Sequence, residues 1–286
     1  MNEAFVIDRA IRDQLITADK ASKEVIKRLV VGDDVRRYEI HYREGYLLYL
    51  PHGSDIRRYP AIEQHLRPFC AKLEARATQQ AWYELQQPQQ AYVRHFEAGK
   101  ILYPVIGKEL RFVLDQSQAY SNDKAFFLPT ADHFLLGVLN SATVFSFLKA
   151  VCSILGDENK GGRLEFRAQY MEKLPIPAAP EAERSAVAAL AREAQRRHGE
   201  RRARVERFLR DCGLAPADST SRNPLETPWQ LDAAEFTRRL RTLAKAAPRA
   251  DLALHKSARE ETAAQTAAIA KVEAEINARV AALYGL

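Results

Sequence analysis

Residues 100–115, Lys-Ile-Leu-Tyr-Pro-Val-Ile-Gly-Lys-Glu-Leu-Arg-Phe-Val-Leu-Asp, restrict the fold more than any other stretch of the chain. Two apolar runs rich in β-branched and aromatic residues, 101–106 and 110–114, flank the break Gly107-Lys108-Glu109. Runs of that kind around a short glycine-containing break predict a β-hairpin with one face in a core. Its ends and break carry Lys100, Lys108 and Arg111, which a core rejects unless they reach water or a partner. Two readings stay open: an ordinary solvated hairpin, or a buried sheet whose positive rim holds phosphates.

The segments around the hairpin predict an α+β chain. Asp19-Lys20-Ala21-Ser22 is expected to cap a helix carrying Val25, Ile26 and Leu29. Residues 35–42 alternate as a strand does, residues 46–50 read as a second strand, and a helix is expected after Pro60. Two arginine pairs, Arg36-Arg37 and Arg57-Arg58, precede tyrosines; they either face a polyanion or pair with nearby Asp33, Asp34 and Asp55. The cluster Trp82-Tyr83-Glu84-Leu85 is core material rather than a stacking platform. Tyr120-Ser121-Asn122-Asp123-Lys124 is a polar turn, and a helix apolar nearly all round, from Phe134 to Leu148, is expected to be buried. A glycine-rich loop at 156–163 carries Lys160 and Arg163 and leads to the rigid Leu174-Pro175-Ile176-Pro177.

Beyond residue 180 the pattern changes to helices. Val187, Leu190, Ala194, Arg201, Val205 and Phe208 keep roughly heptad positions on one long helix. A short helix is expected near Trp229, and a third holds Ile269, Val272, Ile276, Val280 and Leu283. The first and third can pack as an antiparallel pair. The expected organisation is therefore a mixed or antiparallel-sheet domain over 1–180 and an all-α, antiparallel coiled-coil-like region over 181–286. A stripe of arginines, Arg192, Arg196, Arg197, Arg202, Arg204, Arg207 and Arg210, either tracks phosphates or forms a solvated face.

Composition bounds the function. Net charge is +6 and the isoelectric point is about 9.2, which mildly favours polyanionic partners. No apolar run approaches the roughly 20 residues of a membrane span, and the N-terminus lacks an export pattern. Three scattered cysteines, Cys70, Cys152 and Cys212, form neither metal box nor disulfide framework, so a reducing cytoplasm is the expected compartment. Catalytic motifs are incomplete. Gly156 and Gly161 have P-loop spacing, but Gly162-Arg163 replaces the lysine and hydroxyl that would hold phosphate and magnesium. Glu158, Lys160 and Asp132 only faintly imitate a metal-dependent nuclease triad. Asn223-Pro224-Leu225-Glu226 lacks the second proline and aromatic residue of a base-flipping amino-methyltransferase.

The order of motifs carries a resemblance. Gly32-Asp33-Asp34-Val35-Arg36-Arg37-Tyr38 is similar to the Gly-Arg-Asp-Ile-x-Arg-Tyr signature of the TaqI-like C-terminal specificity domain, with Asp33 where that family usually has arginine. The likeness continues through Ile56-Arg57-Arg58-Tyr59-Pro60, Trp82-Tyr83-Glu84-Leu85, residues 100–106, Tyr120-Ser121-Asn122-Asp123-Lys124, Leu139-Asn140-Ser141 and Leu174-Pro175-Ile176-Pro177. The final Leu283-Tyr284-Gly285-Leu286 resembles the helical ending of the same enzymes. The resemblance implies the target recognition part of a restriction–modification N6-adenine DNA methyltransferase. It implies no cofactor in this segment, S-adenosylmethionine in an upstream methyltransferase domain, and double-stranded DNA as partner. Lys100, Lys108, Arg111, Lys124, Lys160 and Arg163 are then the expected DNA contacts, with Asn122 reading adenine and Arg36, Arg37, Arg57 and Arg58 behind them. The alternative is an assembly module of a DNA-modification or phage-defence complex, associating through the C-terminal helices.

Overall fold

A computed structural model describes residues 2–157, 161–220, 222–243 and 251–286. The N-terminal part forms a four-stranded sheet in the order Val6–Ile7, Tyr46–Leu48, Ile26–Val30, Tyr120–Ser121, in which the last pair is parallel and the others antiparallel. Val25, Ile26 and Leu29 therefore do not lie on a helix. Asp19 does cap a turn, accepting from Ala21 N at 3.0 Å, but this short 3-10 helix, Lys20–Glu24, gives way to the strand. Their spacing suits a helix face, yet pairing with Tyr46–Leu48 and the following Val30-Val31 favours extension.

The central hairpin exists, with Lys100 opposite Asp115, Ile101 opposite Leu114 and Leu102 opposite Val113. Its strands are Lys100–Pro104 and Val113–Asp115, and Ala125–Leu128 adds on the other side of the first. The connection is not a tight turn. Ile106–Gly107 leaves the hairpin to pair with Arg163–Glu165, which pairs in turn with Ile154–Leu155. A small hairpin, Val35–Arg36 with Glu39–Ile40, replaces the longer strand expected there. It turns at Tyr38, fully buried at φ 59°, whose N–H donates to Phe112 O at 2.9 Å.

The outer edge of Val113–Asp115 is closed by two side-chain amides. Asn140 accepts from Phe112 N (3.2 Å) and donates to Phe112 O (2.9 Å), while Gln195 accepts from Leu114 N (3.0 Å) and donates to Leu114 O (2.9 Å). Each amide imitates a strand residue, so an edge that would invite another chain is capped from within. Asn140 and Ser141 also split the single helix expected after Pro129 into His133–Leu139 and Ala142–Val151, bent by 60°. Ser141 caps the second by accepting from Val144 N. Among the described residues no single helix is long and apolar enough to cross a membrane.

Two long helices, Glu181–Asp211 and Leu252–Leu283, lie antiparallel, with Glu183 beside Arg279 at 3.0 Å and Arg204 paired to Glu261. Val187, Ala191, Ala194, His198, Arg202, Val205 and Phe208 are buried on the first, at heptad spacing. Ala191 and Arg202 are buried, while Leu190 packs partly buried against the same core and Arg201 is half-buried beside them. The shorter helix, Ala233–Leu243, packs through Phe236 and Leu240 beside Val205, Phe208 and Ala258. One core runs through Ile101, Phe112 and Leu114 of the central sheet, Phe134 and Val138, then Val187, Ala191, Ala194, Ile276 and Val280. Hydrophobic burial is thus continuous across residue 180.

Candidate nucleic-acid interface

Where the Gly32–Asp34 turn meets the Asn122–Lys124 loop, the chain leaves a cleft of about 370 Å³. Pro104, Val105 and Ile106 form its floor; Asp33, Asn122, Lys124 and Arg163 supply its polar walls. Gly32 permits the close approach, because a Cβ there would overlap the carbonyl oxygen of Lys124. Arg163 stands at the start of the strand that pairs with Ile106–Gly107, and Lys108 Nζ lies beside Gly161. The pairing of residues 106–107 with 163–165 therefore gathers cations separated by more than fifty positions in sequence.

The polar groups of the cleft are free to exchange partners. Lys124 pairs at 2.6 Å with Asp123, but both are well exposed (68% and 75%), and such pairs contribute roughly 0–1 kcal/mol. Asn122 accepts from Lys124 N at 3.1 Å, and its amide nitrogen has no protein partner among the described residues. Asn122 thus keeps its NH2 as a donor and the second lone pair of its oxygen as an acceptor. Arg111 bonds Glu109 at 2.9 Å. It is close enough to Arg36 that, together with burial, which matters more, it lowers the tendency of Arg36 to stay charged. Asp33, exposed at the rim, adds an acceptor where the resemblance leads one to expect a cation.

Other expected contacts are placed elsewhere. Lys100 is wholly buried (0% exposed), donating to Asp115 at 2.7 Å and to Phe96 O at 2.8 Å. Burial alone would raise the Asp115 carboxyl, but hydrogen bonds from Lys100 and Ser117 hold it below its usual range. Lys100 is a core strut, and the expectation that it reaches a phosphate is corrected: position 100 points into the same interior as its strand. Arg37 is likewise committed, to Glu273 at 3.0 Å, and so ties the small hairpin to the last helix. His198 bonds the same carboxylate at 2.9 Å. Burial would raise Glu273; the bonds from His198 and Arg37 outweigh it and hold it at about 2.

Arg57 and Arg58 are exposed and pair with Asp55 and Glu24 beside the core cluster of Ile56 and Tyr59, away from the cleft's own lining. Lys160 and Glu158 lie outside the described residues. Asp132, the third member of the nuclease-like set, caps His133–Leu139 and pairs with Arg184. The arginine stripe is largely spent: Arg196 and Arg197 on Glu193, Arg202 on Glu206 and the buried Glu226, Arg204 on Glu261. Sequence reasoning missed Arg43 and Arg222, which flank a second, smaller pocket next to the cleft. Neither sits in a motif that would have marked it.

Asn223 is committed to a local turn. Asn223 Oδ1 accepts from Leu225 N and its nitrogen donates to Ser219, both at 3.1 Å, so it serves as a turn cap. Leu225 and Glu226 behind it are buried. Among the described residues no group of three or more His, Cys, Asp or Glu side chains is arranged to hold a metal ion.

Comparison with known proteins agrees with this geometry. The family described as the TaqI-like C-terminal specificity domain matches residues 27–176. The fold is similar to that in a solved structure described as the Type IIL restriction-modification enzyme MmeI in complex with DNA. The TM-score is 0.52 at 14% identity over 96% of this chain and 34% of that one. The chain thus spans about a third of that enzyme's length. No curated protein matches it. Over residues 27–176, this chain belongs to the TaqI-like C-terminal specificity domain family.

Proposed function

We propose that this chain chooses the DNA sequence on which a restriction–modification N6-adenine methyltransferase acts. The observation that carries the reading is the cleft in which Lys124 and Arg163 flank Asn122, with Lys108 and Arg111 nearby. It lies within the matched family region. Cations on the walls take phosphates and fix register, while Asn122 and Asp33 present a donor–acceptor pair and an acceptor to base edges. The amino-group transfer from S-adenosylmethionine belongs to a methyltransferase domain that works with this chain, in a cell compartment where its thiols stay reduced. The apolar seams of the long helices are filled by each other and by the central sheet, which favours recognition over assembly as their main task.

The test is duplex binding by the chain, alone and joined to its methyltransferase, followed by fluorescence anisotropy. Lys124→Gln with Arg163→Gln is expected to weaken binding and flatten its salt dependence by about two phosphates' worth. Binding that ignores salt, or that the double variant leaves unchanged, rejects the proposal.

A further inference from the structure

The small pocket beside the cleft is built from two parts of the chain that meet only in the fold. Arg36 and Arg43 come from the N-terminal hairpin region; Ser219, Thr220 and Arg222 come from the connection after the first long helix. Its volume, about 200 Å³, lies below the roughly 300–1,000 Å³ of small-molecule sites and suits a single tetrahedral anion. Arg43 is aimed by its Nε bond to the buried Asp34 at 2.7 Å, which leaves both terminal nitrogens for a ligand. Asp34 is itself spent, since its other oxygen accepts from Val31 N. Arg36 is half-buried and bonds only the Val35 carbonyl, at 2.9 Å. Arg222 has no ion-pair partner among the described residues. Ser219 accepts from Asn223, which frees its own proton to donate. Three guanidinium groups and two hydroxyls thus face one exposed carboxylate, Asp33, and the neighbouring His41, whose ring is held by Glu39. Asp34 balances Arg43, and the N–H groups that Arg36, Arg43 and Arg222 keep in the pocket are donors that one anion can take together.

We infer that this pocket clamps one phosphate of the DNA backbone, so that Ser219, Thr220 and Arg222 grip the duplex that the adjacent cleft reads. The inference rests on the recognition reading above and adds to it: the C-terminal region is a DNA-contacting part, not a spacer. Two features fix the clamp. Arg202 binds Glu226 and anchors the connection to the long helix, and Asp33 lines both pocket and cleft, making them neighbours. A phosphate in the pocket sets the register of the bases in front of Asn122.

Arg222 is exposed and has no ion-pair partner among the described residues, so Arg222→Gln is expected to leave the melting temperature unchanged. With a fluorescein-labelled duplex of random sequence and the full chain, the plot of log affinity against log salt is expected to become shallower by about one unit, with Arg222→Lys restoring it. An unchanged slope in Arg222→Gln, while Lys124→Gln and Arg163→Gln flatten theirs, overturns the clamp and leaves the recognition reading standing. Absence of salt-dependent binding in the wild type overturns both. A thermal shift on adding inorganic phosphate that Arg222→Gln abolishes, with the DNA slope intact, assigns the pocket to a free anion and also overturns the clamp.

Discussion

Lys100→Met separates a structural lysine from a DNA-contacting one. The side chain is wholly buried, and methionine nearly matches its length, so the cavity left is small. What changes is the electrostatics: Asp115, 2% exposed, loses its 2.7 Å cation. Removing one partner of a buried pair costs about 3–5 kcal/mol. Asp115 keeps donors at Ser117 N (3.0 Å), Ser117 Oγ (2.6 Å) and Ala119 N (3.2 Å), which puts the cost at the lower end, about 3 kcal/mol. At roughly 2–4 °C per kcal/mol for a chain of this size, the melting temperature falls by about 6–12 °C. The pH dependence has a definite sign. The folded carboxyl is depressed, so its contribution is full above about pH 4 and is lost as pH falls through the folded value. Without Lys100, burial raises the carboxyl, so the deficit is largest at neutral pH and shrinks as Asp115 takes up a proton. Denaturant melts from neutral to acid pH measure both. A variant that melts like the wild type but loses affinity for duplex DNA refutes the argument.

Other perturbations give equally specific outcomes. Gln195→Leu strands the N–H and C=O of Leu114 and is expected to cost about 1–3 kcal/mol, with faster hydrogen exchange at the Leu114 amide. Gly32→Ala pushes the turn off Lys124 O, costing about 1–3 kcal/mol and weakening DNA binding more than Gln195→Leu does at equal loss of stability. Glu273, held at about 2 against an ordinary 4.5, contributes stability above about pH 4.5 that disappears towards pH 2. Glu273→Gln therefore lowers neutral-pH stability and flattens the acid limb of the stability curve.

The sequence made some of this legible and hid the rest for physical reasons. The pairing of the central hairpin followed from its two apolar runs, and the long helices from the spacing of their apolar residues. The break at Gly107-Lys108-Glu109 was misread because its pairing partner, Arg163–Glu165, is remote in sequence. The helix expected through Val25 and Leu29 failed because Tyr46–Leu48, a neighbour supplied by the fold, holds Ile26–Val30 extended through backbone hydrogen bonds. Lys100 shows the limit of reading cations as rims: its partner, Asp115, stands at the far end of the same stretch, directly opposite in the ladder. Arg37 found a carboxylate on the last helix, a pairing set by tertiary packing alone. Lys124, Arg163 and Asn122 were legible as residues; their meeting in one cleft was not, because the loop at 122–124 reaches it only through the close approach at Gly32.

The most direct test is enrichment of duplexes from a random-sequence pool by the chain joined to its methyltransferase, with Asn122→Ala beside it. The account predicts that one short sequence containing adenine emerges, and that Asn122→Ala relaxes the preference at that adenine while retaining overall affinity. A pool that stays random with the wild type, or an identical preference in Asn122→Ala, contradicts it.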